Sequence, residues 1–178
     1  MPAWAKPDTE IPVVVDIAQP VARSAEATIA LTGMRAYSTG FEFELCAVLR
    51  WAEDGPSLPT WPTHDPGADD VPDRFLRVGF QFSDGTSVTN LDDWLADLDP
   101  DGSHRPLLVS GGSQGSSRRY DARYWVWPLP PPGPVSFVVE WPARGIAEAH
   151  VEIDAGLIRD AAARTLDVWT GEPSIVDG

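Results

Sequence analysis

Between Phe41 and Trp51 the chain alternates. Phe41, Phe43, Leu45, Ala47, Leu49 and Trp51 fall on one parity, with Glu42, Glu44, Cys46, Val48 and Arg50 on the other. A period of two places successive side chains on opposite faces of a sheet, so this run predicts a half-buried β-strand. Ile29, Leu31, Gly33 and Tyr37 share a parity just upstream, and Ser38-Thr39-Gly40 supplies a turn, which makes the pair a hairpin. Ile11 to Ile17 is a short apolar strand whose Pro12 belongs at a sheet edge or strand start. Arg74 to Phe82 repeats the alternation, with Leu76, Val78, Phe80 and Phe82 on one face. Asp84-Gly85 suits a two-residue primed turn, which pairs Thr86 to Thr89 back on that strand. Asn90 then caps a short helix carrying Leu91, Trp94, Leu95 and Leu98. Pro106–Ser110, Ala122–Leu129, Val135–Trp141 and Ala147–Ile153 are four further strands. A terminal helix over 154–166 starts at the cap Asp154, with Leu157, Ile158, Ala161, Ala162, Thr165 and Leu166 as its inward stripe and Trp169 anchoring the chain beyond it.

The count is roughly eight or nine short strands that do not alternate with long helices, which is the pattern of an all-β domain. The expected fold is a mainly antiparallel β-sandwich with a short helix and a C-terminal helix packed on it; a partly open barrel is the alternative. One domain spans 1–178. Residues 52–73 read as a long acidic, Pro-rich loop, Ser110–Ser117 as a Gly/Ser-rich loop mobile at its tip, and Leu129–Pro134 as a stiff polyproline II segment.

Composition narrows the partners. With 43% apolar and 22% charged residues among 178, the chain can form a packed core. Thirteen Lys and Arg against 27 Asp and Glu give a net charge of −14. Such a field repels nucleic acid and the anionic face of membranes, so neither is expected as a partner. No apolar run approaches the length of a membrane span. The one cysteine, Cys46, cannot form an internal disulfide, and Met1 to Ala30 lacks a signal-peptide pattern, so a cytoplasmic location is expected.

Candidate chemistry is sparse. Gly111-Gly112-Ser113-Gln114-Gly115 matches the G-x-S-x-G pattern of a serine-hydrolase elbow, with Asp121 and His150 following in the chain order of that fold. The elbow needs a helix directly after the serine, and the next segment is strand-like, so a flexible hairpin loop is the preferred reading. A hydrolase or carbohydrate-active enzyme using Ser113 remains the alternative. Asp97, Asp99 and Asp101, followed by Gly102, open like a calcium loop, but its closing position falls on Leu108, so the run reads as an acidic turn. His64, His104 and His150 lack metal-ligand spacing, and no cofactor is expected.

Eight tryptophans are many for this length. Trp125 and Trp127 share a strand face with Arg119 and Arg123, a combination suited to a protein partner or a small polar ligand. The competing reading pairs these arginines with the molecule's own acids. The expected function is therefore a non-catalytic binding or interaction module centred on those four residues, with a homodimer through a sheet edge as a further expectation.

Tyr37-Ser38-Thr39-Gly40-Phe41 with Phe43, Leu76 to Gly85, Tyr124 to Pro131 with Gly133-Pro134, Trp141-Pro142, and Ile153-Asp154 through the helix to Trp169 together resemble a group of similarly sized hypothetical proteins of actinobacteria. The resemblance runs from about Ala27 onward over most of the chain. It implies a single-domain cytoplasmic protein and, the group having no assigned activity, transfers no catalytic residue.

Overall fold

The computed structural model describes residues 2–52, 71–92 and 105–170. Its elements are β1 (Glu10–Ile11), β2 (Val13–Val15), β3 (Gln19–Arg23), β4 (Ala27–Ala36), β5 (Phe41–Leu49), β6 (Arg77–Gln81), β7 (Ser87–Thr89), β8 (Leu107–Gly115), β9 (Arg119–Trp127), β10 (Pro134–Trp141), β11 (Ile146–Asp154), α1 (Ala155–Ala162) and β12 (Leu166–Asp167), with a 3-10 turn at Pro142–Arg144. One sheet has the order β2-β4-β5-β9-β8, with β3 also paired to β4; a second has the order β11-β10-β6-β7; β1 and β12 form a two-stranded ribbon. All pairings are antiparallel.

The alternation read from the sequence is the inward face of these sheets. Phe41, Phe43, Leu45, Ala47 and Leu49 of β5 are buried, as are Val135, Phe137, Val139 and Trp141 of β10. The sheets meet through aromatic rings. Phe43 of the larger sheet lies 5.1 Å from Phe80 and 5.4 Å from Phe137 of the smaller one, and it stacks on Tyr124 of its own sheet at 5.2 Å. Residues of both sheets and of α1 belong to one buried cluster, so the architecture is a mainly antiparallel β-sandwich rather than a barrel.

Several local expectations are corrected. The strand drawn over Ile11 to Ile17 is split at Pro12 into β1 and β2, because proline cannot donate to a ladder. The strand β3, with Pro20 inside it, had no alternation to announce it and is tolerated at the sheet margin, where a register shift follows Pro20. The turn after β6 is a three-residue loop. The Phe82 amide donates to Thr86 and the Gly85 amide to Phe82, and Gly85 takes φ 86°, the left-handed residue of such a loop. Asn90 does not act as a helix cap: its side chain accepts from the Val78 amide (2.9 Å) and donates to the Leu76 carbonyl (2.9 Å), prolonging the β6 ladder. The helix drawn after Asn90 and the loop over 52–73 lie almost wholly outside the described residues.

Ser110–Ser117 is not an irregular loop. Most of it belongs to β8, paired to β9 as far as Gly115. The helix α1 is shorter than 154–166. Asp154 does cap it, accepting from the Gly156 amide at 2.8 Å, but the buried stripe is Ala155, Ile158, Ala161 and Ala162. Leu157 is 52% exposed, Leu166 pairs with Ile11 in the ribbon at 64% exposure, and Trp169 is 80% exposed. A two-turn helix lying close against β2 and β4 has room for alanines and one isoleucine, and Leu157 projects away from that contact.

Ile158→Ala is therefore expected to cost about 2–5 kcal/mol, as a buried truncation that leaves a cavity. Leu157→Ala should cost under about 0.5 kcal/mol, as an exposed substitution. Denaturant melts of the two variants check this ranking, and equal losses would contradict the orientation of α1.

Candidate functional site

The outer face of the six-stranded sheet is built from the opposite parity: Arg35 on β4, Glu42, Glu44 and Cys46 on β5, and Arg119, Asp121, Arg123, Trp125 and Trp127 on β9. The register places them in rows, with Glu42 opposite Trp125, Glu44 opposite Arg123 and Cys46 opposite Asp121. The face divides into two halves.

The first half is closed by the chain's own N-terminal segment. Trp125, 5% exposed, packs with Tyr37 and Leu107, and Trp4, Val109 and Trp127 lie against them. The Trp125 indole N–H donates to the Trp4 carbonyl at 2.9 Å, and Tyr37 meets the indole edge-on at 5.5 Å. Gly40 is required beneath: a Cβ there would sit 2.4 Å from the Val126 carbonyl oxygen and 2.6 Å from the Trp125 ring. The expectation that Trp125 forms an open binding face is thus corrected, and Trp127 is half-buried beside it.

At the seam lies Glu42, a carboxylate only 4% exposed. Lys6 hydrogen-bonds it, Arg35 Nη1 donates to it at 3.1 Å, and Arg123 Nε stands 3.7 Å away. Arg35 Nη1 also donates to Glu44 at 2.8 Å. Burial pulls the Lys6 ammonium down, but the hydrogen bond and charge of Glu42, with help from Tyr37, outweigh it and leave the lysine raised. These contacts agree with the reading in which the arginines meet the molecule's own acids.

The second half is open. Thr32, Glu44, Gly111, Gly112, Ser113, Gln114, Arg119, Asp121, Ala122 and Arg123 line a groove of about 540 Å³. Arg119 grips Asp121 through two bonds of 2.8 and 2.7 Å, and this hydrogen bonding holds the Asp121 carboxyl below its usual range. Gly112 at φ 117° has empty space where a side chain would stand, so the groove is open on the β8 side. Cys46 is buried under it. Burial and the Asp121 charge push the thiol up, which keeps it protonated and poorly nucleophilic.

The serine-hydrolase constellation is not assembled. Ser113 is in register with Ala122 and Gln114 with Asp121, and the Asp121 carboxylate is taken by Arg119 rather than turned to a catalytic histidine. His150 lies on β11 of the other sheet. There it sits between Ser136 Oγ (3.1 Å) and Glu148 Oε1 (2.9 Å). That row resembles a proton relay, but Ser136 lies on β10, which is paired on both sides, so its strand amides serve the ladders rather than an oxyanion. Asp97, Asp99 and Asp101 lie outside the described residues. Among the described residues, no three His, Cys, Asp or Glu stand together as a metal site, and no helix is long and apolar enough to cross a membrane.

The Glu42 cluster predicts an asymmetry. Arg35→Met removes two hydrogen bonds from acids, one of them buried, and should destabilise by about 2–4 kcal/mol. Glu42→Met returns half-exposed cations to water and should cost clearly less. Thermal melts of both variants test this, and the reverse ranking would contradict it.

Set against known proteins, the chain matches no family model, no curated protein and no solved structure.

Proposed function

We propose that the protein is a non-catalytic interaction module that takes an extended segment of a partner protein by strand addition at β8. The observation that carries this reading is the edge itself. β8 ends the six-stranded sheet, and its sequence Leu107–Gly115 has no charged residue and no proline. Edge strands are normally guarded by lysine, proline or a covering element, because their unpaired N–H and C=O groups invite another strand. Here the guard is a bulge between Ser110 and Gly112, and Gly111 to Gly115 are all exposed.

The polar groove lies on the same side. A strand added to β8 would run alongside Gly112 and Gln114 and direct alternate side chains toward Arg123, Asp121 and Arg119. Acids and bases alternate along this groove, which favours a partner segment of neutral polar residues over a charged one. Main-chain hydrogen bonds would supply affinity and the groove the selectivity. Trp125 and Trp127 then support the sheet from its closed half, and Arg119 and Arg123 are the contact residues. A cytoplasmic setting belongs to the same proposal, supported by the single, buried thiol.

The test is an amide-resolved NMR titration of the full chain with a blocked Thr/Val/Gln-alternating hexapeptide, against the same peptide carrying a central proline. Amides of Ser110 to Gly115 should shift saturably with the first peptide and not the second, and Gln114→Lys should weaken binding several-fold. Unmoved β8 amides at millimolar peptide would sink the proposal, as would sedimentation showing that a second copy already occupies this edge.

A further inference from the structure

A second concavity lies at one end of the six-stranded sheet, and it adjoins the β8 groove in sequence, since Arg118 lines the one and Arg119 the other. It has a volume of about 300 Å³ and is lined by Arg23, Ser24, Ala25, Glu26, Ala27, Thr28, Val48, Leu49, Arg50 and Arg118. Three arginines line it because topology collects strand ends. Arg23 closes β3, Arg50 follows β5 and Arg118 precedes β9, and these strands stand side by side with β4 between the first two.

What sets the cluster apart is its charge balance. In a chain of 27 acids and 13 bases, Arg35, Arg77, Arg119, Arg123 and Arg144 each meet a carboxylate. Arg23, Arg50 and Arg118 have no carboxylate partner among the described residues. Arg118 is instead fixed by backbone, with Nη2 donating to the Arg50 carbonyl at 2.8 Å and, with Nε, to the Leu49 carbonyl at 3.4 Å. Arg50 rests over the Trp51 ring at 5.6 Å. Glu26, the one acid in the lining, is turned to Arg144, whose Nη1 lies 3.7 Å from it. Two of the three arginines are thus held in place by groups that leave their charge uncompensated, a preorganised setting for an anion.

We infer that this concavity is a binding site for a phosphoryl group, either inorganic phosphate or the phosphate of a small monoester. The three arginines offer N–H donors to the oxygens of a dianion, Arg118 only those that its bonds to the Leu49 and Arg50 carbonyls leave free, and the volume of about 300 Å³ suits a small ligand rather than a nucleotide. The surrounding negative field slows arrival of such an anion and makes local arginine contacts the whole source of affinity.

The experiment reads the arginine Nε–H signals of the full chain by NMR during titration with inorganic phosphate, glycerol 3-phosphate, glycerol and chloride at constant ionic strength. Arg23, Arg50 and Arg118 signals should shift saturably with the two phosphates and not with glycerol or chloride. Tighter binding of glycerol 3-phosphate identifies a monoester ligand, and tighter binding of phosphate identifies the free ion. Arg23→Gln and Arg50→Gln should each weaken binding about tenfold, corresponding to one lost charge-assisted contact, whereas Arg164→Gln in the turn after α1 should not. Arg23 and Arg50 hold no other element in place, so their variants stay informative if Arg118→Gln loosens the sheet end. Absence of saturation at tens of millimolar phosphate, equal shifts with chloride, or unchanged affinity in Arg23→Gln and Arg50→Gln would overturn the site and leave the β8 reading untouched.

Discussion

The contact of Phe43 with Phe80 and Phe137 is the interaction on which the remaining structure depends, because it joins the two sheets at the middle of the larger one. Phe43 is fully buried on β5, and β5 lies between β4 and β9. With the inward parity of β5 committed to that aromatic cluster, its outward parity is committed too: Glu42, Glu44 and Cys46 must face away from the core. The buried carboxylate at Glu42 follows from this constraint. Its neighbours on β9 and β4 and the returning N-terminal segment then have to supply cations, and Arg123, Arg35 and Lys6 do so.

This commitment also explains why one face of the sheet has two characters. Where Trp4 folds back, the indole of Trp125 is sealed and the surface becomes a small second core. Where β8 runs into glycine, the face is polar and, among the described residues, open, and the sheet ends in an edge whose guard is the bulge between Ser110 and Gly112. Both the proposed strand site and the proposed anion site lie on this sheet, the first along its side and the second at its end. The smaller sheet, by contrast, carries the exposed His150 and the half-buried Ser136 on a surface whose backbone is already engaged on both sides at β10.

The parts of the fold legible in the sequence are those in which burial leaves a period. β5, β6, β9 and β10 each bury one parity, β4 does so with a switch at the bulge between Leu31 and Gly33, and these strands, like the half-buried β11, were readable within a few residues. The tail of β8 was not, because Gly111 to Gly115 carries no apolar alternation and is a strand only through its ladder with β9. The terminal helix was readable as a helix, and Ile158, Ala161 and Ala162 of its inward stripe are buried as read, whereas Leu157 and Leu166, included for their size, lie outside the contact. In the candidate site, Arg119 and Arg123 were singled out correctly as neighbours on one face. The sealing of Trp125 had no local signal, since its hydrogen bond spans 121 positions, and the gathering of Arg23, Arg50 and Arg118 exists only after the strands are arranged.

The division of the outer face into a sealed aromatic half and an open polar half is the centre of this account, and hydroxyl-radical footprinting read by mass spectrometry measures it directly. Trp125 should be oxidised as slowly as the core residue Trp141, while Trp169 and Trp51, both exposed at strand or chain ends, react fast. Oxidation of Trp125 at the rate of Trp169 would mean that the N-terminal segment does not cover the sheet, and the assignment of the open site to the β8 side would fail with it.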